Sequence, residues 1–230
     1  MAIAIMQPTY LPWAGYFNLM NRVDRFIFLN NVKFEKSSWQ TRNQILVNKQ
    51  SRYITLPTTG SRLQVINEVL LNDNTPWRSR HIKTLEQAYK KTTYGGDILN
   101  CISPVIENNS LVFLQDITMA IIEAIAGQLH IHCTIFRSSD INTKGKRSGR
   151  LVELCQYFND TSYFSPAGAR QYIQQDGCLE NAGITVEYQH YQPEPYPQKT
   201  VQTFVPYLSI VDVVAHIGWT GARQYIRSSY

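Results

Sequence analysis

The amino-terminal stretch of the chain carries two short apolar runs, each of which stops at a polar loop. Ala2 to Met6 stops at Gln7, Phe26 to Leu29 stops at Asn30, and Gly15 to Val23 predicts a short helix between them. The order strand, helix, strand favours a parallel pair of strands joined by a right-handed crossover. Because ligands bind outside the carboxyl ends of such strands, both polar loops are candidate binding loops.

The rest of the chain alternates strand and helix patterns, which predicts an α/β fold with a largely parallel sheet. A β-rich insertion is predicted at about residues 32–72 and a helical segment at about residues 75–127, all within one domain of residues 1–230. Within the insertion, Ile45 to Val47 and Tyr53 to Leu56 flank a short polar loop and predict a β-hairpin. Further strands are predicted at Gln64 to Leu71, Cys133 to Phe136, Thr161 to Phe164 and Thr185 to Tyr191.

Apolar residues at helical spacing and capping residues predict the helices. Ser209 followed by Asp212 matches an acidic variant of the capping box, which favours a helix start over a catalytic Ser/Asp pair. The predicted helices run from Pro76 to Lys91, Ile98 to Ile106, Leu111 to Gly127, Arg150 to Phe158 and Leu208 to Ile217.

Composition limits the classes of protein to consider. The 230 residues can bury a substantial core, and the net charge of +5 permits an anionic partner without choosing among a nucleotide, a nucleic acid and a membrane surface. No apolar run is long enough to cross a bilayer and the amino terminus lacks a signal peptide, so we expect a cytoplasmic protein without a membrane span. The four cysteines lack zinc-finger spacing, which predicts reduced thiols and no metal site.

The loop after the first strand has two interpretations. A helix that starts near Gly15 would direct free backbone N–H groups at an anion, and Trp13 to Tyr16 is similar in spacing to the His-x-Gly-His loop of nucleotidyltransferase-like folds, although only the glycine is kept. Alternatively, Gly15 permits close packing of the helix on the sheet while Trp13 and Tyr16 are core residues. The residues alone leave both interpretations open.

The segment after the second strand is rich in basic and aromatic residues. Lys33, Lys36, Arg42 and Asn43 are candidates to bind a phosphate, a carboxylate or a sugar hydroxyl, and Trp39 is a candidate to stack on a base or a sugar. The alternative for each lysine is an ordinary solvated surface.

A second candidate loop, Ser165 to Tyr172, follows a later predicted strand, and its Gly168 permits close approach by a ligand. A plain connection between a strand and a helix needs the same residue types. The chain has no Gly-x-Ser-x-Gly elbow and no Gly-x-Gly-x-x-Gly after the first strand, and its histidines form no evident catalytic pair.

Four segments together carry a family resemblance that runs from end to end of the chain. They resemble successive motifs of the WbqC-like protein family, and the first, Gln-Pro-x-x-x-Pro-x-x-Gly-Tyr, is the most specific. In that family, aspartates are common at the positions of Asn30 and Asn31. The four segments are Met6 to Phe17, Lys36 to Asn43, Ser165 to Tyr172 and Phe204 to Asp212.

The resemblance implies a cytoplasmic enzyme of bacterial surface-polysaccharide (O-antigen) biosynthesis. The order strand, helix, strand and the spacing of the first loop predict a Rossmann-like, nucleotidyltransferase/HUP-like fold. The resemblance also implies N-acyl or N-aminoacyl transfer to the amino group of a nucleotide-linked 4-amino-4,6-dideoxy sugar, with ATP or acyl-CoA as the candidate co-substrate. The alternative is a non-catalytic protein that binds nucleotide sugars or scaffolds the pathway. Nucleic-acid binding is the weaker third hypothesis, because the basic residues are dispersed. The oligomeric state is left open, with a homodimer as one candidate.

We therefore assign candidate roles to two groups of residues. Arg42 and Asn43 are the candidate catalytic donors for a developing oxyanion, while no residue stands out as a general base. The candidate substrate-binding residues are Gln7, Tyr10, Trp13, Gly15, Tyr16, Asn30, Asn31, Lys33, Lys36, Trp39, Ser165, Gly168 and Tyr172.

Overall fold

A parallel sheet of five strands is the centre of the computed structural model, which describes residues 1–61, 63–198 and 201–228. The strands in chain order are β1 (Ala2–Met6), β2 (Arg25–Phe28), β3 (Arg42–Val47), β4 (Gln50–Thr55), β5 (Thr134–Arg137), β6 (Ser162–Ser165) and β7 (Thr185–Tyr188). Strands β3 and β4 form a separate antiparallel hairpin, and the other strands form the sheet. The predicted α/β class, the largely parallel sheet and the hairpin are therefore confirmed.

The strands of the sheet have the order β5-β2-β1-β6-β7, and neighbouring strands are parallel. Ile3 of β1 is paired with Arg25 of β2 on one side and with Tyr163 of β6 on the other. The chain winds from β1 outward to β2 and β5 and then continues on the other side of β1 with β6 and β7. The direction of winding reverses beside β1, which opens a crevice at the carboxyl ends of β1 and β6.

Helices connect the strands and cover the sheet. They are α1 (Ala14–Asn21), α2 (Trp77–Tyr89), α3 (Gly95–Glu107), α4 (Leu114–Gln128), α5 (Ser148–Tyr157), α6 (Arg170–Asp176), α7 (Cys178–Asn181) and α8 (Ile210–Tyr225). Among the described residues, none of these helices combines the length and the apolar character that a membrane span requires.

Alternate residues of the central strands pack on opposite faces of the sheet, as the period of a strand requires. Ala4, Phe26 and Phe28 belong to the larger core, which also contains buried residues of α1, α2, α3, α4 and α8. Ile3 and Ile27 belong to a second core, built with buried residues of α5, α6 and α7. Burial on both faces explains why β1 and β2 appear in the sequence as continuous apolar runs rather than alternating patterns.

The insertion contains less strand than predicted. Gln64 to Leu71 was expected to be a strand, but it contains a 3₁₀ turn, Ile66–Glu68, and pairs with neighbours only through isolated bridges. Ile66 and Val69 are both fully buried, and a turn brings residues three apart to the same side, which a strand does not. In the hairpin, Asn48 and Lys49 have φ angles of 50° and 66°, which makes a tight two-residue turn.

Helices α4 and α8 differ from the prediction at boundaries that the structure explains. Helix α4 begins at Leu114 rather than Leu111, because residues 112 and 113 are held in extended pairing: the Leu71 N–H donates to the Val112 carbonyl at 2.9 Å. It also continues through Gly127, which was expected to end it. Helix α8 was predicted to end at Ile217; it is interrupted at Gly218, where φ is 70°, and then continues to Tyr225.

Candidate functional site

A cavity of about 320 Å³ lies at the carboxyl end of β1, beside the reversal of the sheet. The loop after β1, the segment between β2 and β3, and the segment before α8 all contribute to its wall. The residues that line it are Met6, Thr9, Trp13, Tyr16, Trp39, Asn43 and Tyr207. Four of them (Trp13, Tyr16, Trp39 and Asn43) are candidates named from the sequence, and the folded chain brings these four together.

The loop after β1 is held to the next segment by hydrogen bonds. The Tyr10 N–H donates to the Trp39 carbonyl at 3.2 Å, and Gln40 Nε2 donates to Gln7 Oε1 at 3.0 Å. Tyr16 donates its hydroxyl proton to the Gln7 carbonyl at 3.1 Å. Gln7 therefore joins the two loops and is absent from the cavity wall, although the sequence suggested it as a ligand contact.

Tyr10 is a core residue. Its side chain is fully buried and its hydroxyl lies 2.8 Å from Nδ1 of His81. Burial raises the pKa of Tyr10 and lowers the pKa of His81 to about 4, so the phenol keeps its proton and the imidazole is neutral. The Nδ1 atom of the neutral ring accepts a hydrogen bond from the Tyr10 hydroxyl, and Tyr10 takes no part in the cavity wall.

The indole of Trp13 lies over Gly15, where an added Cβ atom would overlap Cζ2 and Cη2. The same indole contacts Tyr191 and Tyr207, at ring-centroid distances of 5.5 and 5.4 Å. The space above Gly15 thus holds an aromatic ring, as in the packing interpretation of this glycine. Trp13 is also part of the cavity wall, so the packing and wall roles coincide in one residue.

The described wall has few polar side chains, and two of them, Asn43 and Thr9, have polar atoms without a partner among the described residues. Asn43 is buried, its Oδ1 accepts from the Gln44 N–H at 2.8 Å, and its Nδ2 has no hydrogen-bond partner among the described residues. The hydroxyl of Thr9 is buried and likewise lacks a partner within the described part of the chain. The wall therefore offers an amide donor and a hydroxyl, surrounded by aromatic rings.

The basic candidates lie outside the cavity wall. Lys33 and Lys36 are exposed, and neither forms an ion pair within 4.0 Å with any described residue. The guanidinium of Arg42 lies 4.3 Å from the centroid of the Tyr53 ring, and Trp39, which is 53% exposed, packs beside the same ring at 6.3 Å. Arg42 thus supports the aromatic rim of the cavity.

Asn30 and Asn31 join β2 to the chain beyond β5. Asn30 Oδ1 accepts from the Ser139 N–H at 3.0 Å, and its Nδ2 donates to Gln115 Oε1 at 2.7 Å and to Ser139 Oγ at 2.9 Å. Asn31 Nδ2 donates to the Ser138 carbonyl at 3.2 Å, and Asn31 Oδ1 accepts from Ser138 Oγ at 2.7 Å. Protein groups satisfy these side chains, and neither residue lines the cavity.

The loop after β6 is also separate from the cavity. Ser165 is fully buried and its hydroxyl donates to the Pro166 carbonyl at 3.3 Å. Gly168 lies in a 3₁₀ turn, Ala167–Ala169, and Tyr172 is a half-exposed residue of α6, the helix that packs on the second core through Ile173. None of the three predicted residues of this loop lines the cavity wall.

Three cavity residues were not singled out from the sequence: Met6, Thr9 and Tyr207. Met6 and Thr9 lie within the first motif, so their position in the chain was a usable signal. Tyr207 lies in the fourth motif, far along the chain, and only the folded structure brings it to Trp13. Ser209 caps α8 as predicted by accepting from the Val211 N–H at 3.2 Å, whereas the carboxyl of Asp212 is buried and does not return to the Ser209 backbone.

The chain is similar to known proteins over nearly its whole length. Rv1507c of Mycobacterium tuberculosis (strain ATCC 25618 / H37Rv), described as an uncharacterized protein, is 29% identical to the chain over 227 residues, which cover 98% of this chain and 97% of the relative. No solved structure matches the chain. The sequence model of the WbqC-like protein family matches residues 7–224. The chain therefore belongs to the WbqC-like protein family.

Proposed function

We propose that the cavity binds the amino sugar of a nucleotide-linked 4-amino-4,6-dideoxy sugar and that the protein transfers an N-acyl or N-aminoacyl group to its amine in surface-polysaccharide (O-antigen) biosynthesis. The observation that carries the proposal is the composition of the wall: aromatic rings and Met6 surround the side-chain amide of Asn43 and the buried hydroxyl of Thr9, which has no hydrogen-bond partner among the described residues. Aromatic faces suit the apolar faces of a deoxy sugar. The strand order, which reverses beside β1, supports a Rossmann-like, nucleotidyltransferase/HUP-like fold.

The wall suits an uncharged amine. None of the described residues that line it is an Asp, Glu, His, Lys or Arg, and desolvation lowers the pKa of a buried amine, which favours the neutral nucleophile. The amine nitrogen attacks the carbonyl carbon of a thioester or acyl adenylate, a C–N bond forms, and the bond to the leaving sulfur or phosphate oxygen breaks. Asn43 Nδ2 donates to the developing oxyanion, and the ammonium proton passes to the leaving group or to water.

The charged part of the substrate is proposed to stay outside the cavity. Lys33 and Lys36, which are exposed and lack ion-pair partners within the described residues, are positioned in the segment that leads to Trp39 and are assigned to the diphosphate. ATP or acyl-CoA supplies the activated acyl group. A homodimer stays a prediction, which light scattering of the purified protein would check.

The proposal is tested by incubating the purified protein with a thymidine- or uridine-diphosphate 4-amino-4,6-dideoxyhexose and either acyl-CoA or an amino acid plus ATP. Mass spectrometry should show the nucleotide sugar gaining the mass of the acyl group. Asn43→Ala should reduce turnover by roughly a hundredfold, because one oxyanion donor contributes about that much. Asn109→Ala, at an exposed position outside the cavity wall, is the matched control. Absence of any mass gain across these donors would reject transfer.

A second candidate function is binding of the nucleotide sugar without turnover. The observation that favours it is that the described residues of the wall include no carboxylate, imidazole or amine that could act as a general base. Calorimetry distinguishes the two: tight binding of the nucleotide sugar with no acylated product supports a binding protein, whereas product formation supports the enzyme.

A further inference from the structure

An irregular segment between β7 and α8 forms part of the cavity wall. We call its described residues, 189–198 and 201–209, the strap. Tyr191 near its start and Tyr207 near its end both contact the indole of Trp13. Tyr207 has a φ of 59°, a left-handed conformation that is rare for a bulky residue and persists only where the surroundings hold it. The strap must therefore be fixed close to Tyr207.

A side-chain amide provides this fixation. Gln198 Nε2 donates to the Val205 carbonyl at 3.0 Å, and the Val205 N–H donates to Gln198 Oε1 at 2.8 Å. These two bonds hold the chain two residues before Tyr207. An amide that both donates to and accepts from one residue fixes the position and the direction of that backbone.

A buried carboxyl in the first turn of α8 holds the amide in turn. Asp212 is fully buried, and its Oδ2 accepts from the hydroxyl of Tyr196 at 2.6 Å and from Gln198 Nε2 at 3.1 Å. Burial is the main cause that raises the pKa of Asp212, and the nearby His216 acts in the opposite direction. Helix capping does not account for this carboxyl, because the Ser209 N–H donates to the Gln44 carbonyl instead.

We propose that Asp212 is a positioning residue that acts through Gln198 and Val205 to fix Tyr207 against Trp13, and so sets the shape of the cavity. The predicted effect on ligand binding rests on the proposed function, whereas the positioning of Tyr207 does not. Asp212 does not line the cavity itself, and its effect on a ligand passes through the Tyr207 ring.

The test that needs no ligand uses protein labelled with 3-fluorotyrosine, with the Tyr207 signal assigned by Tyr207→Phe. Gln198→Met and Asp212→Ala should shift or broaden the ¹⁹F signal of Tyr207. Asp212→Asn should retain it, because an amide oxygen can accept the same two hydrogen bonds. Asp160→Asn is the matched control: Asp160 is a buried carboxyl that pairs with Arg25 at 2.7 Å, and the change should lower stability while leaving Tyr207 unmoved.

The Gln198→Met variant decides the outcome even if Asp212→Ala does not fold. If Gln198→Met folds as the wild type does by circular dichroism and its Tyr207 signal is unchanged, the proposal is overturned. In the ligand arm, Gln198→Met should weaken calorimetric binding of the nucleotide sugar about tenfold, and Asp160→Asn should leave it unchanged. If the wild type binds no nucleotide sugar while the Tyr207 signal shifts as expected, the ligand assignment fails and the positioning role stands.

Discussion

The indole of Trp13 lies so close to the α-carbon of Gly15 that a methyl group there would overlap its ring atoms. Gly15→Ala should therefore force Trp13 out of place and lower the free energy of unfolding by about 1–3 kcal/mol, as overpacking does. Urea denaturation measures this. Gly127→Ala in α4 is the control, because its added methyl meets nothing within 4 Å and should be neutral or stabilising by up to about 1 kcal/mol. Equal effects of the two substitutions would contradict the packing role of Gly15.

The buried Tyr10–His81 pair predicts a pH dependence of stability. Burial lowers the pKa of His81 from 6.5 to about 4 in the folded state. The unfolded chain binds a proton there below pH 6.5 and the folded chain only near pH 4, so the contribution of the neutral ring is complete above pH 6.5 and is lost as the pH falls towards 4.

Between pH 7 and pH 4.5, the wild type should lose about 2 kcal/mol more unfolding free energy than His81→Gln, which removes the titrating ring and keeps an acceptor for Tyr10. Urea denaturation at a series of pH values measures both proteins. Parallel pH profiles would show that His81 does not have the lowered pKa.

Trp39 should affect a ligand more than the fold. It is 53% exposed at the cavity wall, so Trp39→Ala should change the free energy of unfolding by less than about 0.5 kcal/mol. The affinity for the nucleotide sugar should fall by about 3- to 10-fold, the effect of losing one aromatic contact. Tyr157→Ala, at an aromatic residue that is 62% exposed and outside this cavity, is the control in calorimetry. A comparable loss of affinity in both variants would argue against the cavity as the ligand site.

Asn30 should affect the stability of the fold more than ligand binding. Asn30→Ala leaves Gln115 Oε1 and the Ser139 N–H without their partner, which should cost about 1–3 kcal/mol in unfolding free energy and leave ligand affinity unchanged. Asn109→Ala, an exposed amide, should change stability by less than about 0.5 kcal/mol. Loss of ligand binding in a folded Asn30→Ala protein would indicate that Asn30 contacts the ligand.

Strand β1, strand β2 and the hairpin could be predicted because each follows from local sequence. The apolar runs Ala2 to Met6 and Phe26 to Leu29 are short and continuous, as strands buried on both faces must be, and they coincide with β1 and, to within one residue, with β2. Their parallel pairing follows from the helix between them. The strand predicted at Gln64 to Leu71 is wrong. Its apolar residues serve a turn packed against the larger core, and tertiary contacts decided its conformation.

Local sequence likewise singles out some residues that line the cavity and others that lie elsewhere. Trp13, Tyr16, Trp39 and Asn43 could be proposed from their place next to strand ends, and they line one cavity. Ser165, Gly168 and Tyr172 have the same local signature and lie elsewhere, because a glycine-containing turn after a strand is also the ordinary way to begin a helix.

Periodicity and motifs are properties of neighbouring residues, and they are enough to predict the fold class, the family and the segment that begins the cavity. Three features appear only in the folded chain: β6 lies beside β1, Tyr207 contacts Trp13, and the Asp212 carboxyl accepts from Gln198 rather than from the start of its own helix. Each of these contacts joins residues that are not neighbours in the chain. They depend on how buried surfaces pack and how polar groups form hydrogen bonds across the whole fold, which no local sequence pattern specifies.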